Sequence, residues 1–278
     1  MMKLKIGLWM VVGFFGVAGF PLIAGAGAHC AAGKSRCIAE NAASQIDDRA
    51  REEARKEIDA ARTGDVDSRQ LIAPINSRPA GQSYGKWAAT WWQWALGIPA
   101  AVNPLTDPTG QYCAQGQVDR VWFLAGAIGD LAKGPVERSC TVPAGKWLFF
   151  PLVNNFYGAF LNDPSETRTE EYVRSFARCT TPAYISASID GSPVPNPTDF
   201  FTGPSGSQSP LFNVQLPPDN IFELNETTVP ELKLSPSAEQ GYYLFVRPQQ
   251  PGNHTIRWIA SGCTPGNSQD ITYHLTVK

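Results

Sequence analysis

Hydrophobic residues recur with helical spacing in residues 83–96, which read Ser-Tyr-Gly-Lys-Trp-Ala-Ala-Thr-Trp-Trp-Gln-Trp-Ala-Leu. At about 100° per residue, Trp87, Trp91 and Trp94 lie on one face of the predicted helix. The residues that widen this face are Tyr84, Ala88, Trp92, Ala95 and Leu96. Because each indole removes a large apolar area from water, such a face is typical of a helix buried against a β-sheet. We therefore predict that Trp87, Trp91 and Trp94 belong to the core.

Beyond this helix, apolar residues occur in short runs separated by turns rich in Gly and Pro, a pattern typical of β-strands. The predicted strands are residues 121–126, 147–153, 183–189, 211–216, 242–246, 254–260 and 271–277. The run 147–153 is almost continuously apolar, which indicates a strand buried on both faces. One further helix is predicted over residues 163–179. This pattern predicts a mainly β domain, an antiparallel sandwich or jelly roll, with the Trp-rich helix buried against it.

The first 28 residues have the pattern of a secretory signal peptide. Lys3 and Lys5 form a positive start, an apolar run covers residues 6–23, and small residues follow as candidate cleavage sites. A retained membrane anchor is the alternative, since the run reaches membrane-spanning length. The glycines in the run favour cleavage, so we expect a secreted or periplasmic protein with no stable membrane span after processing.

Residues 29–82 are predicted to be separate from the β domain. Within them, residues 38–62 carry many charges, and pairs such as Asp47 and Arg51 are spaced to stabilise a helix. The remainder is polar and is predicted to be a linker. We expect three parts: a signal peptide at 1–28, the charged helix and linker at 29–82, and the β domain at 83–278.

Composition and charge narrow the function classes. The chain has 278 residues and a formal net charge of -2 at pH 7, so we expect no nucleic-acid partner. Its six cysteines, in an exported protein, indicate disulfides. Six cysteines allow many pairings, and neighbourhood in the sequence favours Cys30–Cys37, Cys113–Cys140 and Cys179–Cys263. No Cys-x-x-Cys pair is present, so we expect neither a zinc site nor thioredoxin-like chemistry.

The three histidines are candidate metal ligands. If cleavage follows Ala28, His29 becomes the new N-terminus and could bind copper together with His254 or His274, as in the histidine brace of copper oxygenases. Against this, Cys30 follows at once and the predicted linker separates His29 from the β domain. We expect His254 and His274 to be structural, and we expect no metal or other cofactor.

Carboxylates and aromatic side chains are the other candidate functional groups. A glycosidase needs paired carboxylates, and the candidates are Asp163, Glu166, Glu170 and Glu171. Arginines interleave with them, which favours a solvated helix face, and no Gly-x-Ser-x-Gly motif is present, so we expect no catalytic residue. Candidates for a sugar-stacking platform are Trp122, Trp147, Tyr157, Tyr242 and Tyr243. For each of them, core packing is the favoured alternative.

Four motifs together resemble an uncharacterised family of exported bacterial proteins. They are Tyr-Gly-Lys-Trp at 84–87 with Trp-Trp-Gln-Trp at 91–94, Val-Trp-Phe-Leu-Ala-Gly at 121–126, Cys-Thr-Val-Pro-Ala-Gly-Lys at 140–146, and Pro-Gly-Asn-His-Thr-Ile at 251–256. The resemblance covers residues 82–278 and implies export and a β-rich domain. It implies no activity, so it gives no catalytic residue.

These observations predict an exported, disulfide-stabilised, non-catalytic protein that binds a ligand or associates with the cell surface. A glycan is the candidate ligand. The alternative is a secreted enzyme, either a glycoside hydrolase or a copper oxygenase with a His29 brace.

Overall fold

The computed structural model describes residues 68–117 and 119–278, together with Glu52. The strands within these residues are β1 (Val121–Phe123), β2 (Val136–Val142), β3 (Trp147–Phe160), β4 (Thr180–Ile189), β5 (Ser192–Pro193), β6 (Phe212–Gln215), β7 (Lys233–Val246), β8 (Gly252–Cys263) and β9 (Ser268–Val277). The α-helices are α1 (Ser68–Leu71), α2 (Tyr84–Gly97) and α3 (Glu170–Phe176). In this described part of the chain, no helix has the length and apolarity needed to cross a membrane.

The strands form two sheets. The four-stranded sheet has the order β1-β3-β7-β6, and the five-stranded sheet has the order β2-β9-β8-β4-β5. The pairs β1–β3 and β2–β9 are parallel. Between β1 and β3 the chain crosses to the other sheet and back, which is the kind of connection that a parallel pair requires. The remaining pairs are antiparallel. The structure therefore confirms a mainly β sandwich, with two parallel edge pairs that the sequence pattern did not reveal.

The four-stranded sheet is buried on both faces. On β7, Leu244 and Val246 point into a core shared with the five-stranded sheet, whereas Tyr243 and Phe245 point into a second core against α2. Phe149 of β3 also belongs to this second core. Because side chains alternate along a strand, an apolar run with no polar alternation is what burial on both faces requires. The Trp-rich helix is thus the outer layer of a three-layer domain.

Helix α2 begins and packs as its sequence predicts. The Ser83 hydroxyl accepts a hydrogen bond from the Lys86 amide at 3.3 Å, which satisfies one of the free N–H groups at the helix start. Trp87, Trp91 and Trp94 are only 6%, 1% and 8% exposed. All three indole rings therefore contribute to the core between α2 and the four-stranded sheet.

Each of these indoles also fixes a loop through its N–H group. The bonds run from Trp87 Nε1 to the Pro79 carbonyl at 2.9 Å, from Trp91 to Leu124 at 3.0 Å and from Trp94 to Gln115 at 2.8 Å. A buried indole N–H without a partner destabilises the fold, so these bonds make the indoles compatible with burial. The helix consequently positions the loops around it as well as covering the sheet.

The segment between β1 and β2 crosses from one sheet to the other and is held by buried polar side chains. Arg138 is 1% exposed, and its Nη1 donates to the carbonyls of Ala125 at 2.6 Å and Gly126 at 3.0 Å. The Tyr273 hydroxyl donates to the same Ala125 carbonyl at 3.0 Å. These bonds fix Ala125 and Gly126 at the start of residues 126–128, which form one wall of the pocket described below.

The segment just before α2 differs from the predicted linker. Ile72 is buried and forms an isolated β-bridge with Val246, and the Ala73 amide donates to the Phe245 carbonyl at 2.9 Å. The Tyr84 hydroxyl donates to the Ala73 carbonyl. Residues 72–82 therefore belong to the β domain, whose predicted boundary at residue 83 lies too late. The segment was missed because it has too few apolar residues to form a periodic pattern.

Other predicted elements differ mainly in length. The helix predicted over 163–179 is limited to α3, because Thr169 is extended and its hydroxyl accepts a hydrogen bond from the Tyr172 amide at the helix start. Strand β2 was not predicted, β3 is about twice as long as expected, and β7 is nearly three times as long. The signal peptide, the charged helix at 38–62 and the Cys30–Cys37 pair lie outside the described residues.

Two disulfides link distant parts of the domain. Cys113–Cys140 joins the loop before β1 to β2, and Cys179–Cys263 joins the residue before β4 to the end of β8. Both are pairs that neighbourhood in the sequence favoured. The two disulfides close loops with sequence separations of 27 and 84 residues, which restricts the unfolded chain. In the chain-entropy model, this stabilises the fold by about 3–4 kcal/mol for Cys113–Cys140 and about 4–5 kcal/mol for Cys179–Cys263.

Replacing Trp91 with Ala should lower the free energy of unfolding by about 3–5 kcal/mol, because a buried indole is lost and a cavity remains. The Leu124 carbonyl also loses its donor. Chemical denaturation of Trp91→Ala, beside Lys86→Ala at an exposed position of the same helix, measures this difference. Equal stabilities of the two variants would show that burial of Trp91 is not a main source of stability.

Candidate functional site

The histidines of the β domain have protein partners. His254 Nδ1 lies 2.7 Å from Asp190 Oδ2, and its Nε2 lies 2.8 Å from the Gln250 carbonyl. Burial lowers the pKa of His254, but the bonds to Asp190 and Gln250 outweigh it, and the pKa is raised overall from 6.5. The protonated His254 therefore stabilises the folded state. This contribution is complete below pH about 6.5 and is lost as pH rises through the raised pKa of His254.

The alternative copper site would need His29 together with His254 or His274. His274 is exposed and lies 3.7 Å from Glu137 Oε2, on the outer side of β9. His29 lies outside the described residues. Within the part of the chain that the structure covers, no group of three or more His, Cys, Asp or Glu side chains could hold a metal ion.

The clustered carboxylates near α3 have structural roles. Glu170 forms an ion pair with Arg174 at 2.7 Å on the surface of α3. Asp163 accepts a hydrogen bond from the Phe160 amide at 2.9 Å and so closes the turn after β3. Glu166 and Glu171 are exposed. The solvated-face interpretation therefore fits these residues better than a pair of catalytic carboxylates.

The aromatic residues considered for a sugar platform do not form an exposed surface. The side chains of Trp122, Tyr157, Tyr242 and Tyr243 are buried, so they have no ring face open to a ligand. Trp147 is half-buried, and the Arg247 guanidinium lies over its ring at 5.5 Å. Core packing, the favoured alternative, accounts for these residues.

A buried carboxyl group that the sequence analysis missed lies on the α2 side of β7. Glu239 is fully buried, and its Oε2 accepts hydrogen bonds from the Tyr243 hydroxyl at 2.8 Å and the Thr202 hydroxyl at 3.2 Å. Its Oε1 has no partner. The Tyr243 hydroxyl in turn accepts a bond from Asn154 Nδ2 at 2.9 Å. The four side chains form one continuous polar chain beside an aromatic core.

Burial determines the charge of Glu239. Desolvation raises its pKa to about 8, against the opposing effects of its hydrogen bonds and of the nearby Arg174. The carboxyl is therefore protonated at neutral pH and can donate as well as accept a hydrogen bond. Burial also raises the pKa of Tyr243 well above 10, so its hydroxyl stays neutral.

Asn154 connects this chain to a small pocket, which we call the Asn154–Asn267 pocket. Its volume is about 30 Å³, and it lies between α2, residues 126–128, residues 151–154 of β3 and the beginning of β9. Strand β3 has an irregular register between Pro151 and Val153. Such irregularities redirect side chains and are common beside binding sites. In β3 the irregularity immediately precedes Asn154.

Two asparagines line the pocket. Asn267 is 5% exposed; its Nδ2 donates to the Asn154 carbonyl at 3.2 Å, but its buried Oδ1 has no partner. Asn154 is half-buried and uses its Nδ2 for Tyr243. Trp92 also lines the pocket, and its buried Nε1 has no partner. None of the described lining residues is charged, so the site combines neutral amides and an indole with apolar walls.

Gln269 fixes the wall opposite these asparagines. Its Oε1 accepts from the Ala127 amide at 2.8 Å, and its Nε2 donates to the Ala127 carbonyl at 2.9 Å. A Cβ atom on Gly126 would lie 2.5 Å from Gln269 Oε1, so this close approach requires glycine. The wall is therefore rigid before any ligand arrives.

A larger groove of about 690 Å³ lies on the surface between α2 and β6 and includes Gln93, Asn213 and Lys233. Gln93 Nε2 donates to the Asn213 carbonyl at 2.8 Å across it. No side-chain atom that is buried without a partner belongs to the described residues of this groove. The smaller pocket is therefore the stronger candidate site.

One sequence signal could have indicated this site. Glu239 is the only acidic residue between Glu231 and Asp270, and it stands directly before an apolar run at 241–246. A lone acid inside a strand buried on both faces is unusual and suggests a special role. Asn154 and Asn267 carry no comparable signal, because their juxtaposition depends on the fold.

Glu239→Gln should remove a pH dependence of stability. Between pH 4.5 and about 8 the folded wild type holds a proton that the unfolded chain has released. The free energy of unfolding then falls by up to about 1.4 kcal/mol per pH unit as pH rises. Denaturation curves at several pH values should show this slope in the wild type and in the exposed control Glu226→Gln, and a flatter profile in Glu239→Gln. An unchanged slope in Glu239→Gln would contradict the conclusion that the carboxyl of Glu239 is protonated in the folded state.

Comparison with known proteins finds no matching protein-family model, no matching curated protein and no matching solved structure. The function of this chain must therefore be inferred from its own residues.

Proposed function

We propose that this chain is an exported, disulfide-stabilised, non-catalytic binding protein, and that the Asn154–Asn267 pocket receives its ligand. The observation that carries the proposal is the lining of this pocket, where the neutral amide side chains of Asn154 and Asn267 lie beside the indole of Trp92 among apolar residues. A few polar groups set in apolar walls are typical of a small-molecule site. Asn154 is half-buried, so its side chain is accessible to a ligand.

Export is supported by two independent features. Disulfides persist in oxidising compartments, and this domain has two of them. Residues 1–28 have the charge and hydrophobicity pattern of a signal peptide. The resemblance to an exported family agrees with both. We place the mature protein in the periplasm or outside the cell.

A neutral, hydrogen-bonding ligand fits the pocket best, and we propose a glycan. With no charged residue among its described walls, the pocket would leave an ionic ligand group without a counter-charge. Neutral amides beside apolar and indole surfaces match a ligand with hydroxyl groups on an apolar frame. Glu239 is fully buried, so it is not available to a ligand as a general acid or base.

The export proposal predicts the N-terminus of the mature protein. N-terminal sequencing of protein from the extracytoplasmic fraction should return a chain that begins between Gly27 and His29, since small residues at the cleavage positions precede this region. Recovery of the protein with Met1 intact, in the cytoplasm and with free thiols at Cys113 and Cys140, would exclude export.

The binding proposal predicts a local response to neutral oligosaccharides. In ¹⁵N-Trp-labelled protein, cello-, malto-, chito- and xylo-oligosaccharides should be titrated while the indole N–H signals are followed. A binding oligosaccharide should shift the signal of Trp92, which lines the pocket, and leave that of Trp258, buried between the sheets, unchanged.

Two matched substitutions complete this test. Asn267→Leu removes an amide from the pocket lining and should weaken binding at least tenfold, whereas Asn213→Leu, at an exposed position of β6, should leave binding unchanged. If none of the four oligosaccharide series shifts the Trp92 signal at millimolar concentration, the glycan-binding proposal fails.

A further inference from the structure

We infer that the outer face of the five-stranded sheet is the docking surface for the charged segment at residues 38–62 of the same chain. This docking is independent of the proposed ligand pocket and assigns a role to a segment that the pocket does not involve. Four features support it: a buried isoleucine on the sheet face, the apolar pattern of the segment, the charges beside both, and the place where the chain enters the domain.

Strand β8 places one large apolar side chain on the outer face of its sheet. Trp258 and Ala260 belong to the core shared with the four-stranded sheet, so Ile259 between them points outward. The strand register places Ser186 of β4 and Asp270 of β9 on either side of Ile259. The other residues that alternation places on this outer face are mostly polar: Glu137, Ser139, Thr141, Ser188, Thr255, Thr272, His274 and Thr276.

Ile259 is completely buried on this polar face. Its exposed fraction is 0%, yet it belongs to none of the three apolar clusters that the described residues form. Side chains stand roughly perpendicular to a sheet, so the flanking Ser186 and Asp270 cannot close over the end of an isoleucine. Ile259 therefore needs a cover that the described elements do not provide. Residues around it make polar or ring contacts beyond those described above, namely Tyr184, Ser186, Pro193, Arg257 and Asp270.

The charged segment has an apolar stripe that matches this patch. At about 100° per residue, one side of a helix over residues 38–62 carries Ala43, Ile46, Ala50, Ala54, Ile58 and Ala61. An amphipathic helix buries such a stripe against another element. Because most of these residues are alanines, the helix can approach a face of small side chains closely and place its isoleucines against Ile259.

Charged residues beside the patch and beside the stripe are complementary. On the sheet, Arg257 Nη2 lies 3.4 Å from Asp270 Oδ1, and both side chains are partly exposed. On the predicted helix, Asp47 and Glu57 border the stripe and can pair with Arg257, whereas Arg51 can pair with Asp270. Complementary charges around an apolar contact determine the orientation of the two surfaces.

The chain enters the domain close enough to reach the patch. The Leu71 carbonyl accepts a hydrogen bond from the Arg247 amide at 2.7 Å, just after β7 and shortly before β8 begins. Ile259 lies about 23 Å along β8 from the start of that strand. Residues 63–67 can span up to about 17 Å, and the predicted helix would be about 38 Å long. The segment can therefore lie across Ile259 without any change in the sheets.

Methyl NMR of the full mature protein, with a soluble paramagnetic relaxation agent, tests this docking. The Ile259 methyl signal, assigned with Ile259→Val, should be protected from the agent as strongly as that of Ile256 in the core. Ala54→Glu places a charge in the stripe and should raise the relaxation of the Ile259 methyl severalfold, while Ile256 stays protected. Ala60→Glu, the same exchange about 100° away from the middle of the stripe, should change neither signal.

Three results would overturn the docking of residues 38–62. An Ile259 methyl that the agent reaches in the wild type would show that this face is open in the mature protein. Protection that is lost on dilution would show that a second copy of the chain covers the face. Full protection in Ala54→Glu would show that a different segment does so. Each result leaves oligosaccharide binding at the Asn154–Asn267 pocket as it is, because that proposal is tested through Trp92.

Discussion

Burial of the outer face of the four-stranded sheet by α2 is the constraint on which the rest of the structure depends. Strands β3 and β7 place large aromatic side chains on that face, among them Phe149, Tyr243 and Phe245. In water these rings would form an extensive apolar surface on one side of the sandwich. The indoles of α2 cover it, so helix and sheet are stable only together.

This dry aromatic layer determines how polar groups are used. The indole N–H groups of Trp87, Trp91 and Trp94 are paired with loop carbonyls, and Arg138 Nη1 is paired with the carbonyls of Ala125 and Gly126. Glu239 avoids the penalty of a buried charge by remaining protonated. Other buried polar atoms of the described residues have no partner, among them Trp92 Nε1 and Asn267 Oδ1. Trp92 and Asn267 line the same small pocket, which makes it the candidate ligand site.

The sequence predicts those features that depend on local periodicity. The spacing of the tryptophans predicts a buried helix, and the unbroken apolar run after residue 147 predicts a strand buried on both faces, as β3 is. Strand β2 was missed because Arg138 occupies an inward position that its charge would assign to the surface. The pocket was missed because it joins Trp92, Asn154 and Asn267, whose proximity arises only from the crossing of the chain between the sheets.

Native-state hydrogen exchange tests the central claim most directly, that α2 and the four-stranded sheet form one cooperative unit. The backbone amides of Trp91 and Ala95 in α2 should exchange with the same free energy of opening as those of Phe149 in β3 and Leu244 in β7. Added denaturant should lower all four values in parallel. If the α2 amides exchange through an opening whose free energy is several kcal/mol lower than that of the sheet amides, the helix is a separable cover, and helix and sheet do not form one unit.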